Sequence, residues 1–350
     1  MTATAVEPGK ADERVAHVGL LRRQLVKPEF GALIGALVIF VFFASQSDVF
    51  RSARGIANWL DTASIPFGIM AVPVALLMIG GHFDLSAGVQ IGTAGLATGI
   101  MTTYWGLNVY ASLFVSLLLM LAIGFINGYL VTRTGLPSFI ITLGMFLGLQ
   151  GVNIGATKQI TNKVTVDNLD LVPGYDFLRK VFGSTISIGG APFKIAILWW
   201  VLFTAVGSWV LLKTRFGNWT FATGGDANAS KNVGVPTGRT TIALFMITSA
   251  MAWFVGNMLI LRSGSLQAQF GVGTELIFIV AAVIGGCLLT GGYGSVIGAS
   301  VGALIFGMTR IGIVNLNWDP DWFNLFVGAM LLLAVLANQF VRRYAEQSRR

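Results

Sequence analysis

Ten times along this chain the sequence runs for about the length of a membrane crossing with scarcely a charge. These runs fall near 29–47, 62–81, 88–107, 109–132, 135–157, 194–212, 241–261, 275–290, 294–312 and 322–341. A helix needs about 20 mostly apolar residues to cross about 30 Å of hydrocarbon. Only 11% of the residues are charged and 55% are hydrophobic, whereas a soluble domain carries about 25% charge to wet its surface. The mean hydropathy of +0.76 agrees. The fold class that follows is an all-α polytopic membrane protein of about ten transmembrane helices.

The net charge of +8 has its cations at the ends of apolar runs, which the orientation rule for membrane proteins predicts. It gives no reason to expect a nucleic-acid partner. With both termini on one side, that side receives 14 Lys and Arg, among them Arg133, Lys213, Arg215, Lys231 and Arg239, against 9 on the other. Five of the nine, Lys158, Lys163, Arg179, Lys180 and Lys194, lie in or beside one long loop, where charge counts for less. Cytoplasmic termini are therefore predicted. The chain then divides into a cytoplasmic tail 1–28, a transmembrane domain 29–341 and a basic cytoplasmic tail 342–350. An external loop spans 158–193 and a cytoplasmic loop 213–240. Val15, Val18, Leu21 and Leu25 stand at helical spacing in the first tail, which reads either as an amphipathic surface helix or as a disordered tail. Polar residues fill the chain before the first apolar run, unlike a secretory signal.

Glycine is abundant, 44 residues, and recurs at four-residue spacing in Gly31/Gly35, Gly95/Gly99, Gly144/Gly148, Gly151/Gly155 and Gly294/Gly298/Gly302. Such pairs let helices approach closely in lipid. Pro66 and Pro73 predict a kink in the second run. Gly80-Gly81 ends one apolar run ahead of a glycine-spaced helix, and Gly285-Gly286 repeats this, an internal echo of the kind transporters carry at broken helices. The single cysteine, Cys287, permits no intramolecular disulfide or cysteine metal cluster and reads as a small buried residue.

Polar residues inside apolar runs need a reason. Asn127, Gln150, Asn153 and Asn257 either bond neighbouring helices or line a path for a hydroxylated solute; Gln150 and Asn153, three apart, share a helix face. Asp84 and Ser86 precede the third run and are placed as helix-cap residues, the other reading of Asp84 being a proton or ion relay. Histidine occurs only at His17 and His82, in no catalytic arrangement, and there is no GxxxxGK[ST] phosphate loop. No catalytic or metal-binding residue is predicted, and no cofactor in this chain. In the 213–240 loop, Asp226 has the character of an N-cap, and Ala227 to Val233 predicts two helical turns ended by Gly234. So short a helix needs a partner to pack against.

Four segments together resemble the permease subunits of bacterial ABC importers for monosaccharides of the ribose/xylose/galactose type. They are Gly80-Gly81-His82-Phe83-Asp84-Leu85-Ser86-Ala87-Gly88; Asn127-Gly128 with Leu136-Pro137-Ser138-Phe139-Ile140-Ile141-Thr142-Leu143-Gly144; the 213–235 loop; and Gly285-Gly286 through Gly291-Gly292-Tyr293-Gly294-Ser295-Val296-Ile297-Gly298. The resemblance covers nearly all of 29–340. It implies a multi-pass protein of the bacterial inner membrane, surrounded by lipid. It further implies a second permease copy, two cytoplasmic ATPase subunits that bind ATP and Mg, and an external solute-binding protein. The segment matching 214–235 would dock on the ATPase, which makes Phe216, Gly217, Gly224, Gly225, Asp226, Ala229 and Gly234 the coupling residues. The chain departs from the family at Asn218, where a basic residue is usual, and at Asp226, where Asn is common. The first segment has one residue more than the commonest form.

The same superfamily includes permeases for branched-chain amino acids and nucleosides. A rival of another class is a proton-coupled secondary transporter, which needs carboxylates in mid-span. Asp84 and Glu275 both fall near the ends of the apolar runs, which speaks against it.

Overall fold

The computed structural model describes residues 28–347, with side chains described for 29–336. The 1–28 tail lies outside the described residues except for Pro28, which opens the first helix. The elements in chain order are α1 (Pro28–Gln46), α2 (Asp48–Arg51), α3 (Ala53–Thr62), a π-type turn (Ala63–Gly68), α4 (Ile69–Ile79), α5 (Ala87–Thr103), α6 (Val109–Thr134), α7 (Ser138–Thr161), β1 (Thr165–Val166) and a 3-10 turn (Leu169–Leu171). There follow α8 (Tyr175–Gly183), β2 (Thr185–Ile188), β3 (Ala191–Lys194), α9 (Ala196–Lys213), α10 (Arg215–Gly225), α11 (Ala227–Asn232), α12 (Thr237–Ser263), β4 (Leu266–Gln267), α13 (Thr274–Ile284), α14 (Val296–Asn315) and α15 (Trp322–Gln347). α15 thus continues through the first part of the basic 342–350 stretch.

Each of the ten apolar runs coincides with a helix. Among the described residues, seven helices are long and apolar enough to cross a bilayer unaided: α1, the continuous stretch Ala53–Ile79, α6, α7, α9, α12 and α14. The fold is therefore all-α and polytopic. The run at 275–290 is the largest departure. Its helix stops at Ile284, because Gly285 and Gly286 turn the chain. The helix expected over 88–107 ends at Thr103.

Buried positions show why the helices pack as they do. On α6 the buried residues Val109, Ser112, Leu113, Ser116, Met120, Ile123, Gly124, Asn127, Gly128 and Val131 repeat every three or four residues, a single face. That face lies on α12, which is packed between α6 and α5. Glycine sets the separation: a Cβ on Gly128 would lie 2.6 Å from the Ile242 Cα, and one on Gly256 2.2 Å from the Ile91 carbonyl oxygen. Lipid offers no hydrophobic drive between helices, so such backbone contact is what binds them. α5 is buried along almost its whole length, so it forms the interior rather than the lipid face. The second run breaks at Pro66, with Ile65 extended (φ −129, ψ 126) just before it, whereas Pro73 lies inside the continuous helix α4.

At one end β1 pairs with β4, while β2 and β3 form an antiparallel hairpin that packs on α3. The two-residue loop of that hairpin, Gly189-Gly190, has positive φ at both positions, the geometry that matches strand twist. This strand-bearing end also carries a paired Asp61 and Arg262. The opposite end carries α10 and α11.

The internal echo is structural. α4 and α13 are each 11 residues long; α13 follows a non-helical stretch and α4 follows the break at Ile65. Each ends in a Gly-Gly cap with matching bonds. Gly80, Gly81 and His82 N–H donate to Leu76, Met78 and Leu77, and Gly285, Gly286 and Cys287 donate to Ala281, Val283 and Ala282. The second glycine is left-handed in both, φ +85 and +89, so a side chain there would be strained.

Candidate functional site

The α10–α11 loop is anchored by the residues that leave it least room. Thr214 caps α10 by accepting from Gly217 N–H at 3.2 Å. A Cβ on Gly217 would sit 2.0 Å from the Leu211 carbonyl oxygen, so only glycine lets α10 fold back beneath α9. Phe216 packs, half-buried, against the main core. Asp226 caps α11, its Oδ1 accepting from the N–H groups of Asn228 and Ala229, each at 2.9 Å. Ser230 Oγ donates to the Ala222 carbonyl at 2.7 Å and ties α11 to α10. Gly234 takes the left-handed φ of +86 after α11. Residues 225–229 and 231–234 are exposed, with Val233 80% so. Of the residues expected to couple, Phe216, Gly217, Gly224 and the backbone of Gly225 hold the loop to the body, whereas Asp226, Ala229 and Gly234 stand on its outer side.

Beneath the loop three glycine segments meet backbone to backbone. A Cβ on Gly224 would lie 1.8 Å from the Ile79 carbonyl oxygen, one on Gly291 2.7 Å from the Gly81 Cα, and one on Gly292 2.8 Å from the Gly225 Cα. Gly292 N–H donates to the same Ile79 oxygen at 2.8 Å. The end of α10 is thus wedged between the turn after α4 and the turn before α14, the corresponding turns of the two repeats. Gly291 and Gly292 are visible in the sequence as part of a glycine run, but nothing in their spacing points to this junction.

The turn between α4 and α5 is held from α7, whose Ser138 and Thr142 hydroxyls accept from Phe83 and Leu85 N–H at 2.9 and 3.0 Å. Asp84 is buried, 3% exposed, and its Oδ1 accepts from Ser86 N–H at 2.8 Å and from the Ser86 hydroxyl. Ser86 occupies the N-cap position of α5 without itself capping a backbone group. Gln90 donates to Asp84 Oδ2 at 3.2 Å and to Ser86 Oγ at 2.8 Å, and Asn127 donates to Ser86 Oγ at 3.1 Å. The cluster joins α5 to α6 inside the protein.

The four amides considered for a path do not gather. Asn127 lies in this cluster, Asn153 donates to the Val89 carbonyl at 3.4 Å, and Asn257 to the Trp253 carbonyl of its own helix at 2.9 Å. Gln150 is half-buried at the edge of the α7 face that packs on α5. The other side of α7 is bare: Cβ atoms on Gly144, Gly148, Gly151 and Gly155 would meet nothing within 4 Å. Of the glycine pairs, Gly95/Gly99 and Gly294/Gly298/Gly302 pack against backbone or side chains, and the α7 pairs do not.

Glu275 needs a correction. It opens α13, but α13 begins deep in the protein, with Glu275 7% exposed and next to Gly88 at the start of α5. A helix end is not here a membrane surface. Both carboxylate oxygens accept from Gly273 N–H, at 3.2 and 3.1 Å, so the group caps a broken helix.

The family model of the branched-chain amino acid transport system / permease component matches residues 55–335. The chain belongs to this family. The permease is similar to the fructose import permease protein of Rhizobium meliloti, 31% identical over 79% of this chain and 76% of that protein. It is 31% identical to the autoinducer 2 import system permease protein of Photorhabdus luminescens over 88% of each. With the xylose transport system permease protein of Haemophilus influenzae it shares 28% identity over 87% of this chain and 94% of the other. No solved structure matches it. The protein is therefore a multi-pass transport permease and not an enzyme.

Proposed function

We propose that this permease is the membrane subunit of an ATP-driven importer that carries a small hydroxylated solute, a monosaccharide, across the bacterial inner membrane. The observation that carries the reading is the glycine junction. The exposed, capped α11 follows directly on the end of α10, whose Gly224 and Gly225 meet the end of α4 and the turn before α14 without intervening side chains. A push or pull on α11 would pass through the end of α10 to α4 and to the turn before α14. The chain has no phosphate-binding loop of its own, so ATP and Mg belong to separate ATPase subunits docked on α11.

Ten crossings with both termini in the cytoplasm complete the topology. In it α13 crosses together with the non-helical stretch before it, and the α10–α11 end faces the cytoplasm with Arg133, Lys213, Arg215, Lys231 and Arg239. The bare glycine face of α7 receives a second copy, and the solute passes between the copies. The strand-bearing end receives the external solute-binding protein, and lipid covers the remaining apolar faces. The family description names branched-chain amino acids; the choice of sugar rests on relatives named for fructose and xylose.

A photo-crosslinker replacing Asn228, which is exposed at the start of α11, is predicted to join the permease to its ATPase subunit. Capture of the external binding protein instead, or labelling of that position only from outside intact cells, would end this reading.

A further inference from the structure

The stretch between α12 and α13, residues 264–273, falls between two apolar runs of the sequence. It descends beside α5, as the neighbours of the α5 glycines record. Val166 of β1 lies against Gly99, Leu266 against Gly95, the Phe270 carbonyl against Gly92, and the Gly271 carbonyl against Gly88. From Gly99 to Gly88 is 11 residues of helix, about 16 Å of depth at 1.5 Å per residue. Gln269, between the levels of Gly95 and Gly92, lies about 12–16 Å below the Thr103 end of α5.

Along this stretch burial alternates: Leu266 and Ala268 are buried, while Gln267 and Gln269 are exposed, as is Gly273 farther down. Neither glutamine amide makes a side-chain hydrogen bond among the described residues. Non-helical backbone at this depth is tolerated only when covered by protein or facing a water-filled cavity, because lipid cannot satisfy its N–H and C=O groups. A primary amide in hydrocarbon is costly for the same reason. The exposed side of this segment therefore faces neither bulk lipid nor the core.

We propose that residues 267–273 line the water-filled translocation path, with Gln267 and Gln269 as the hydrogen-bonding contacts for the solute. This rests on the importer reading and adds to it where the solute is held. The amides each offer a donor pair and an acceptor and carry no charge, which suits a neutral polyhydroxylated ligand and not an ion. The position also follows the rule that paired helix breaks bracket the binding site, since the break before α13 corresponds to the break at Ile65 before α4.

The test is thiol accessibility in the assembled complex. Buried Cys287 (0% exposed) serves as the unreactive background, and Gln269→Cys is compared with Leu118→Cys. Leu118 is exposed on α6 at a similar depth, on the side that faces lipid. Gln269→Cys is expected to react with a charged, membrane-impermeant thiosulfonate at least tenfold faster than Leu118→Cys, and fructose or xylose, whichever the wild-type complex takes up, should slow it. Gln269→Ala should raise the half-saturating sugar concentration by roughly fivefold, the loss of about one hydrogen bond. If the wild-type complex shows ATP-dependent uptake yet Gln269→Cys reacts no faster than Leu118→Cys, the segment is covered and this inference is wrong. If the wild-type complex takes up nothing on ATP, it is the importer reading that fails, whatever the labelling.

Discussion

Gly224 and Gly225 are neighbours with opposite tolerance. A methyl group on Gly224 would collide with the Ile79 carbonyl, whereas one on Gly225 meets nothing within 4 Å. Backbone cannot yield as a side-chain tip can, so overpacking of about 1–3 kcal/mol is expected at Gly224. Uptake by cells carrying Gly224→Ala should fall at least tenfold at normal membrane abundance, and Gly225→Ala should retain most of its uptake. The sequence marks both glycines alike, since spacing does not tell which one faces backbone. Asp226 was legible as a cap from its type and place. Asp226→Ala removes the acceptor for two N–H groups, a cost of about 1 kcal/mol, and should lower ATP-driven uptake severalfold. Asp226→Asn keeps the acceptor and should restore it; equal activity of all three would detach the cap from coupling.

At the level of elements, hydropathy found a helix for each of the ten apolar runs, because a run of this length has few other fates in lipid, but it missed α2, α3, α8 and α10. It could not find where helices stop inside the protein. Residues 264–273 alternate polar and apolar as Leu266-Gln267-Ala268-Gln269-Phe270, the cue for an extended strand, yet their depth follows only from packing on α5. Likewise Ile186-Ser187-Ile188-Gly189-Gly190 carries a hairpin signal within what otherwise reads as a loop. Near the strand-bearing end α12 is joined to α3 by Arg262, whose Nη1 and Nη2 meet Asp61 at 2.9 and 2.5 Å. Both side chains are only partly exposed, so this pair should outweigh an open surface bridge. Asp61→Ala should destabilise the purified permease by about 2 kcal/mol and lower its melting temperature. Adding Arg262→Ala should cost less than the two single losses combined. Strict additivity would mean the pair contributes nothing.

For the whole molecule, the repeat unifies what the sequence showed only as an echo of paired glycines. Two 11-residue helices, each preceded by a break and ended by the same cap, turn toward one end, where the glycine-rich end of α10 touches the end of α4 and the turn between α13 and α14. The amides singled out in sequence as a path, Asn127, Asn153 and Asn257, each donate a hydrogen bond within or between helices, and sequence position does not say toward what a buried amide turns. The exposed Gln267 and Gln269 escaped notice because they lie outside any apolar run. The most direct test is accumulation of sugar in sealed vesicles. The permease with its ATPase and binding protein should concentrate fructose or xylose when ATP is supplied, and the permease alone should concentrate neither, even under an imposed proton gradient. Accumulation by the permease alone would contradict the account.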